Sequence, residues 1–276
     1  WRGSSCVLRA RLATAAVAIP TLLALILVPS RWPLAVFIVA VGVIGVAEYA
    51  TMAFPAQRGD RFLTIALGAI LTLGACLQAI HVPAMPHWLG AALALTIAAG
   101  LVWTLLGRPD FERGLADLGL ALIGILYVGF LLPHFVFLQG LPLGPRWVIF
   151  VVAIGMAGDT GGYMVGHLIG RHKLMPRVSP GKTIEGAVGI VAGSLLAAAI
   201  CKLLFLADLG WTEAITLSLV MAIIGQLGDL CESVMKRTFG AKESGWLFPG
   251  HGGVLDRIDS LLFPVAFLYY YILLFR

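Results

Sequence analysis

Nine apolar runs divide the chain, at about residues 10–29, 33–54, 62–80, 88–106, 115–138, 147–169, 186–207, 212–233 and 255–275. Each is close to the length of about 20 residues that a helix needs to cross a bilayer. The side-chain balance points the same way. The 276 residues are 60% hydrophobic and 12% charged, with a mean hydropathy of +0.97, whereas soluble domains are about 45–50% apolar and about 25% charged. The chain therefore reads as an all-α integral membrane protein of about nine transmembrane helices. Pro and Gly gather between the runs or at their ends, as helix ends require. No repeat of 20–50 residues and no low-complexity tail is visible. Residues 10–29, with Arg9 and Arg11 ahead of an apolar core, have the outline of a signal peptide. Eight further spans follow, so an uncleaved first helix is expected. The first residue is Trp1 rather than Met, so the natural start is expected to be missing or processed.

Lys and Arg set the orientation. With the N-terminus in the cytosol, the cytosolic segments hold Arg2, Arg9, Arg11, Arg58, Arg61, Arg108, Arg113, Arg171, Lys173, Arg177, Lys182, Lys236, Arg237 and Lys242. The opposite side holds Arg31, Arg146 and Arg276, and Lys202 and Arg257 lie within spans. Fourteen against three predicts N-terminus in and C-terminus out. The net charge of +5 is thus loop charge. No basic face interleaved with aromatic residues accompanies it, so no nucleic-acid partner is expected. Cys6, Cys76, Cys201 and Cys231 have no metal-type spacing and read as packing residues.

Polar residues are unevenly spread. In the first five spans (1–145) the one charge well inside a run is Glu48. A carboxylate at bilayer depth costs roughly 2.5–3.5 kcal/mol, so it must face a partner or a cavity, as a site residue or as a hydrogen bond between helices. The last four spans (146–276), with the loops 170–186 and 236–253, are richer. In RWVIFVVAIGMAGDTGGYMVGHLIGR, Asp159, Tyr163 and His167 follow at i, i+4 spacing on one face. The glycines among them, Gly155, Gly158, Gly161, Gly162 and Gly166, let another backbone approach. In TEAITLSLVMAIIGQLGDLCESVMKR, Gln226, Asp229, Ser233 and Lys236 or Arg237 form a second stripe. The ninth run opens with Asp256, Arg257 and Asp259. With the orientation above, Asp159, Asp229, Asp256 and Asp259 fall at or just below one membrane surface, on three helices. Carboxylates so gathered repel unless something binds them, and Mg²⁺ takes one or two carboxylates plus substrate phosphates. The loops GRHKLMPRVSPGKTIEG and KRTFGAKESGWLFPGHGG at that surface are basic and glycine-rich, a composition suited to polyphosphate. The segment SPGKT mimics the end of a nucleotide-binding P-loop, but Pro176 stands where the first Gly should be and no buried strand precedes it, so a Walker-type site is not expected.

Residues 233–259, SVMKRTFGAKESGWLFPGHGGVLDRID, resemble the signature of the phosphatidate cytidylyltransferases, or CDP-diacylglycerol synthases. The matching positions are Ser233, Lys236, Arg237, Lys242, Pro249, His251, Gly252, Gly253, Asp256, Arg257 and Asp259. DTGGYMVGHLIGR at 159–171, SPGKTIEG at 179–186 and GQLGDLCES at 225–233 are also similar to the family, so the motifs cover roughly 155–276, while the first 150 residues match in hydropathy alone. Glu243 departs from the pattern, which has Asp there; pairing with Lys242 or Arg237 is expected of it.

The resemblance implies transfer of a cytidylyl group from CTP to phosphatidate, giving CDP-diacylglycerol and pyrophosphate. It implies Asp229 and Asp256 as ligands of Mg²⁺, with room for a second metal ion such as K⁺. Lys236, Arg237 and Asp259 join those two aspartates as its implied catalytic residues. It implies substrate contacts from Asp159, Lys182, Thr183, Glu185, Ser233, Lys242, His251, Gly252, Gly253 and Arg257, the His-Gly-Gly segment lending backbone donors. The implied partners are CTP, bilayer phosphatidate and other membrane lipids, with a homodimer allowed. The implied location is multi-pass in a bacterial inner (plasma) membrane. Two rival readings are a CTP-dependent polyprenol or phytol kinase, and a transporter, for which intramembrane carboxylates and glycine-broken helices would also fit.

Overall fold

A segment surrounded by hydrocarbon must satisfy its own backbone groups, and the apolar runs do so as α-helices. The computed structural model describes residues 20–80, 87–107, 109–245 and 252–276. In chain order the helices are α1 (Trp32–Ala53), α2 (Arg58–Ala79), α3 (Trp88–Gly107) and α4 (Phe111–Gly124). A π-helical segment, Ile125–Phe130, continues α4 toward the short α5 (His134–Gln139). Then come α6 (Gly144–Ile169), a hairpin of β1 (Lys173–Met175) and β2 (Ser179–Thr183), α7 (Ile184–Leu204), α8 (Trp211–Thr238) and α9 (Leu255–Phe275). Among the described residues eight segments are long and apolar enough to cross a membrane, with Phe111–Gln139 acting as one. The protein is an all-α integral membrane protein with several spans. Of the expected first run, residues 20–27 are helical, 28 and 29 form a bend, and 10–19 lie outside the described residues.

The sequence explains the helix ends. Pro33 and Pro145 stand in the first turns of α1 and α6, where a missing N–H costs nothing. The Asp110 side chain caps α4 by accepting from the Arg113 amide at 3.1 Å. Two departures from the expected runs bear on the site. Helix α8 continues to Thr238, past the expected end at 233, because its polar last turns find partners rather than lipid. The basic segment 170–186 is not plain loop: β1 and β2 pair antiparallel, Lys173 opposite Thr183 and Met175 opposite Ser179.

The core packs around Trp147, Tyr49, Phe54 and Phe150, all fully buried. Large apolar side chains such as Leu106, Leu168 and Leu204 stay exposed, as expected where lipid is the solvent. Helices α6 and α7 pack most extensively. Their backbones meet at Gly161 and Gly189, where a methyl group on either would strike the other's carbonyl oxygen. This close pairing sets one wall of a cleft at the ends of α6 and α8 and the starts of α7 and α9.

Candidate functional site

The cleft has a volume of about 450 Å³ and is lined by Asp159, Tyr163 and His167 of α6, by Lys182 and Thr183 of β2, and by Gln226 and Asp229 of α8. The i, i+4 stripe of α6 thus faces one space, and the Tyr163 and His167 rings lie stacked at 5.9 Å with an interplanar angle of 8°. A narrower recess continues from Asp159, Gln226 and Asp229 toward Ser194, Ser260 and Pro264. The hairpin delivers Lys182 onto Asp229, with Nζ to Oδ2 at 2.5 Å. Ser260 of α9 donates to Asp159 Oδ2 at 3.2 Å, which draws the third helix to the same wall. Arg257 lies within electrostatic reach of Asp159.

The hairpin is anchored rather than loose. Thr183 ends β2 and caps α7, its hydroxyl accepting from the Gly186 amide at 3.1 Å. Glu185, in the first turn of α7, accepts from the amides of Arg171 (3.1 Å) and His172 (3.2 Å), and contacts His172 Nδ1 at 2.6 Å. Both residues were expected to touch substrate; in this structure their side-chain oxygens hold the base of the hairpin. Arg237 ties the hairpin to α8, donating from Nε to the Val178 carbonyl (3.2 Å) and from Nη1 to the Ala241 carbonyl (3.1 Å).

A second charged group lies behind the first. Lys236 turns inward, with Nζ 2.5 Å from Asp256 Oδ1 and in contact with Glu232 Oε2. Asp256 Oδ2 accepts from the Ser244 amide (2.9 Å), the Ser244 hydroxyl (2.8 Å) and the Gly253 amide (2.8 Å). The backbone turn behind this requires glycine at 252, with φ at +75° and Asp256 Oδ2 only 2.6 Å from where a Cβ would sit. Asp259 is buried within electrostatic reach of Asp229, Glu232 and Lys236 and so links the two groups. Ser233 is buried on α8.

Several expected placements change. Gly253 was expected to offer its amide to a phosphate, but Asp256 takes that hydrogen bond. Glu243 was expected to pair with Lys242 or Arg237, but Glu243 and Lys242 are exposed and Arg237 is bound to carbonyls. The reason is geometric: the chain turns at Ser244 to meet Asp256, which leaves 242 and 243 outside. His251 lies outside the described residues. One carboxylate in the site escaped notice. Glu232 is fully buried against Lys236, and its position three residues after Asp229 and four before Lys236 was the available signal. Glu48 of α1, read from the sequence as a site residue or a hydrogen bond between helices, accepts from the Val254 and Leu255 amides, with the Ser244 hydroxyl 3.2 Å from its Oε2.

Among the described residues no group of three His, Cys, Asp or Glu side chains converges as a metal site. The donor set nonetheless suits a hard cation. Asp229 lines the cleft and holds the Lys182 ammonium at 2.5 Å, so it is a place where positive charge is bound by carboxylate oxygen and phosphate oxygens of a ligand could complete the shell. Asp256 lines neither the cleft nor the recess, and its oxygens are taken by Lys236, Ser244 and Gly253, so it could join a metal only by giving up Lys236.

Comparisons with known proteins point to a family. The model of the cytidylyltransferase family matches residues 9–275. Similar curated proteins include the phosphatidate cytidylyltransferase of Bacillus subtilis (strain 168), 35% identical over 176 residues, covering 63% of this chain and 65% of the relative. Those of Staphylococcus epidermidis (strain ATCC 35984) and Staphylococcus aureus (strain COL) are each 38% identical, over 168 and 170 residues, covering 61% of this chain and 63% of the relative. The chain is thus matched to somewhat less than two thirds of the length of these relatives. With a family model spanning nearly its whole length, the chain belongs to the cytidylyltransferase family.

Proposed function

We propose that the chain is a phosphatidate cytidylyltransferase, joining CTP and phosphatidate to give CDP-diacylglycerol and pyrophosphate. The observation that carries the reading is the cleft in which Lys182, Asp229 and Asp159 from three elements meet at the ends of membrane helices. In the reaction an oxygen of the phosphatidate phosphomonoester attacks the α-phosphorus of CTP. A new phosphoanhydride bond forms, and the bond from the α-phosphorus to the α,β-bridging oxygen breaks as pyrophosphate leaves. The nucleophile is already anionic at neutral pH, so no strong general base is needed. The task is to bring anions together and to offset charge on the transferred phosphorus and the leaving group. Lys182 lines the cleft and Arg257 lies within electrostatic reach of Asp159; both would receive phosphate oxygens. Lys236 holds Asp256 in place and offsets the charge of Glu232. Mg²⁺ would be held by Asp229 at the cleft, and by Asp256 if Lys236 released its Oδ1, and would neutralise phosphate charge there.

The proposed topology has the cleft on the cytosolic side. The sequence motive is the excess of Lys and Arg there. Support comes from the opposite ends of the helices, where Arg276 pairs with Glu213 at 2.8 Å, Arg146 donates to the Phe205 carbonyl and Arg31 to the Ala79 carbonyl. In a bacterium the membrane would be the inner one. The test is pyrophosphate release from CTP and phosphatidate by the purified protein with and without Mg²⁺. Activity with both substrates supports the reading. Formation of CDP from CTP and a polyprenol would point to a kinase, and neither product would point to transport.

A further inference from the structure

Glu48 is the one charged residue well inside α1, and the chemistry above makes no use of it. Its carboxylate is directed at the start of α9. Oε1 accepts from the Val254 amide at 3.0 Å, Oε2 from the Leu255 amide at 2.9 Å, and the Ser244 hydroxyl lies 3.2 Å from Oε2. Helix α9 lacks a cap of its own, since Val254 makes no side-chain capping bond. A carboxylate at a helix N-terminus satisfies orphan N–H donors and opposes the positive end of the dipole. The surroundings leave room for nothing larger: a methyl group on Gly245 or Gly253 would strike the Glu48 carboxylate. The next residue, Tyr49, packs edge-on against Phe239 at 5.6 Å, directly after α8, and its hydroxyl donates to the Leu120 carbonyl at 2.8 Å. Two consecutive residues of α1 therefore grip the end of α8 and the start of α9. The Ser244 hydroxyl lies between Glu48 Oε2 and Asp256 Oδ2, so a single side chain connects the N-terminal carboxylate to the site.

We propose that Glu48 is a positioning residue, which fixes the start of α9 and thereby the placement of Asp256 and Arg257 against Asp229 and Lys236 on α8. The activity arm of its test rests on the function proposed above; the exchange arm does not. Glu48→Gln keeps the size but sets an amide NH₂ where an oxygen accepted an N–H. The full-length variant in detergent should stay folded by size-exclusion chromatography. Hydrogen exchange at Val254 and Leu255 should accelerate about tenfold or more, while α2 and α3 are unchanged. The kcat should fall about 10- to 100-fold, with a smaller change in KM for CTP, because the site is displaced rather than deprived of a substrate contact. Gly245→Ala, which crowds the carboxylate with Glu48 intact, should reproduce both changes, and Glu48→Asp should recover part of the loss. Unchanged exchange at 254–255 in folded Glu48→Gln, or faster exchange with an unchanged kcat, would overturn the proposal. Should Glu48→Gln not fold, Gly245→Ala decides by the same two readouts. A wild-type protein that releases no pyrophosphate would sink the functional reading, and the exchange arm would still decide whether Glu48 holds α9.

Discussion

Lys182 and Lys236 each bind an aspartate at 2.5 Å, yet the two pairs differ in setting. Lys182 and Asp229 line the cleft, with side chains 22% and 30% exposed. Lys236, Asp256 and Glu232 are enclosed, at 11%, 13% and 0%, and Ser244, Gly253 and Glu48 surround them. Solvent reaches the first pair only in part, since the Lys182 ammonium nitrogen itself is buried, and the pair contributes on the order of 1 kcal/mol to stability. Its charges remain available to a ligand. The second group is desolvated, and removing one member leaves an uncompensated charge at a cost of about 3–5 kcal/mol. The difference teaches that similar ion pairs divide the labour: the open pair lies where a ligand can reach it, and the closed group ties together the helices that carry it.

Substitutions can break that division, beginning with the closed group. Lys236→Ala leaves Glu232 and Asp256 facing each other without their shared ammonium, so it should lower stability by about 3–5 kcal/mol and abolish activity. Thermal unfolding in detergent checks the first part, and a melting temperature near wild type would refute the enclosed reading. Asp256→Asn should also abolish turnover, with a smaller stability loss because Lys236 keeps Glu232. Asp229→Asn is the sharpest contrast: pyrophosphate release should drop by at least about 100-fold while the melting temperature barely moves. Near-normal turnover of either Asn variant at saturating Mg²⁺ would remove that residue from the proposed metal site. Lys182→Ala should raise KM for CTP about tenfold or more and that for phosphatidate less, since a charged hydrogen bond to phosphate contributes about 1.5–3 kcal/mol. Equal losses for both substrates would count against a nucleotide contact. Glu243→Gln should be nearly silent, within about twofold of wild type, because this exposed carboxylate has no ion-pair partner among the described residues. A loss as complete as that of Asp256→Asn, partly rescued by Mn²⁺, would make it a ligand.

How much of this was legible varied with the distance between the residues involved. Asp159, Tyr163 and His167 were readable as one stripe because helical spacing is local, and all three line the cleft. Glu232 carried the same local signal and was passed over among the residues around Asp229. The hairpin was not readable, since strands of three and five residues are too short to show an alternating pattern. The partner of Glu48 was not readable either: Val254 lies 206 residues away, and no local pattern encodes that meeting.

The sequence by itself determined the solvent, the helical class, the spans from α1 to α9 and the gathering of carboxylates and basic loops at one end of the last four. These follow from composition and short-range spacing, because hydrocarbon admits only self-satisfied backbone and each helix face is set by 3.6 residues per turn. The tertiary structure alone decided which charges are open and which are enclosed. Lys182 could have met any of several aspartates, and Asp256 could have faced the cleft. Packing of α6 on α7 through Gly161 and Gly189, and the grip of Glu48 and Tyr49 on α8 and α9, selected the partners. An ion pair depends on a separation of a few ångströms between helices, and that separation is set by the side chains packed between them, not by the identity of the charges.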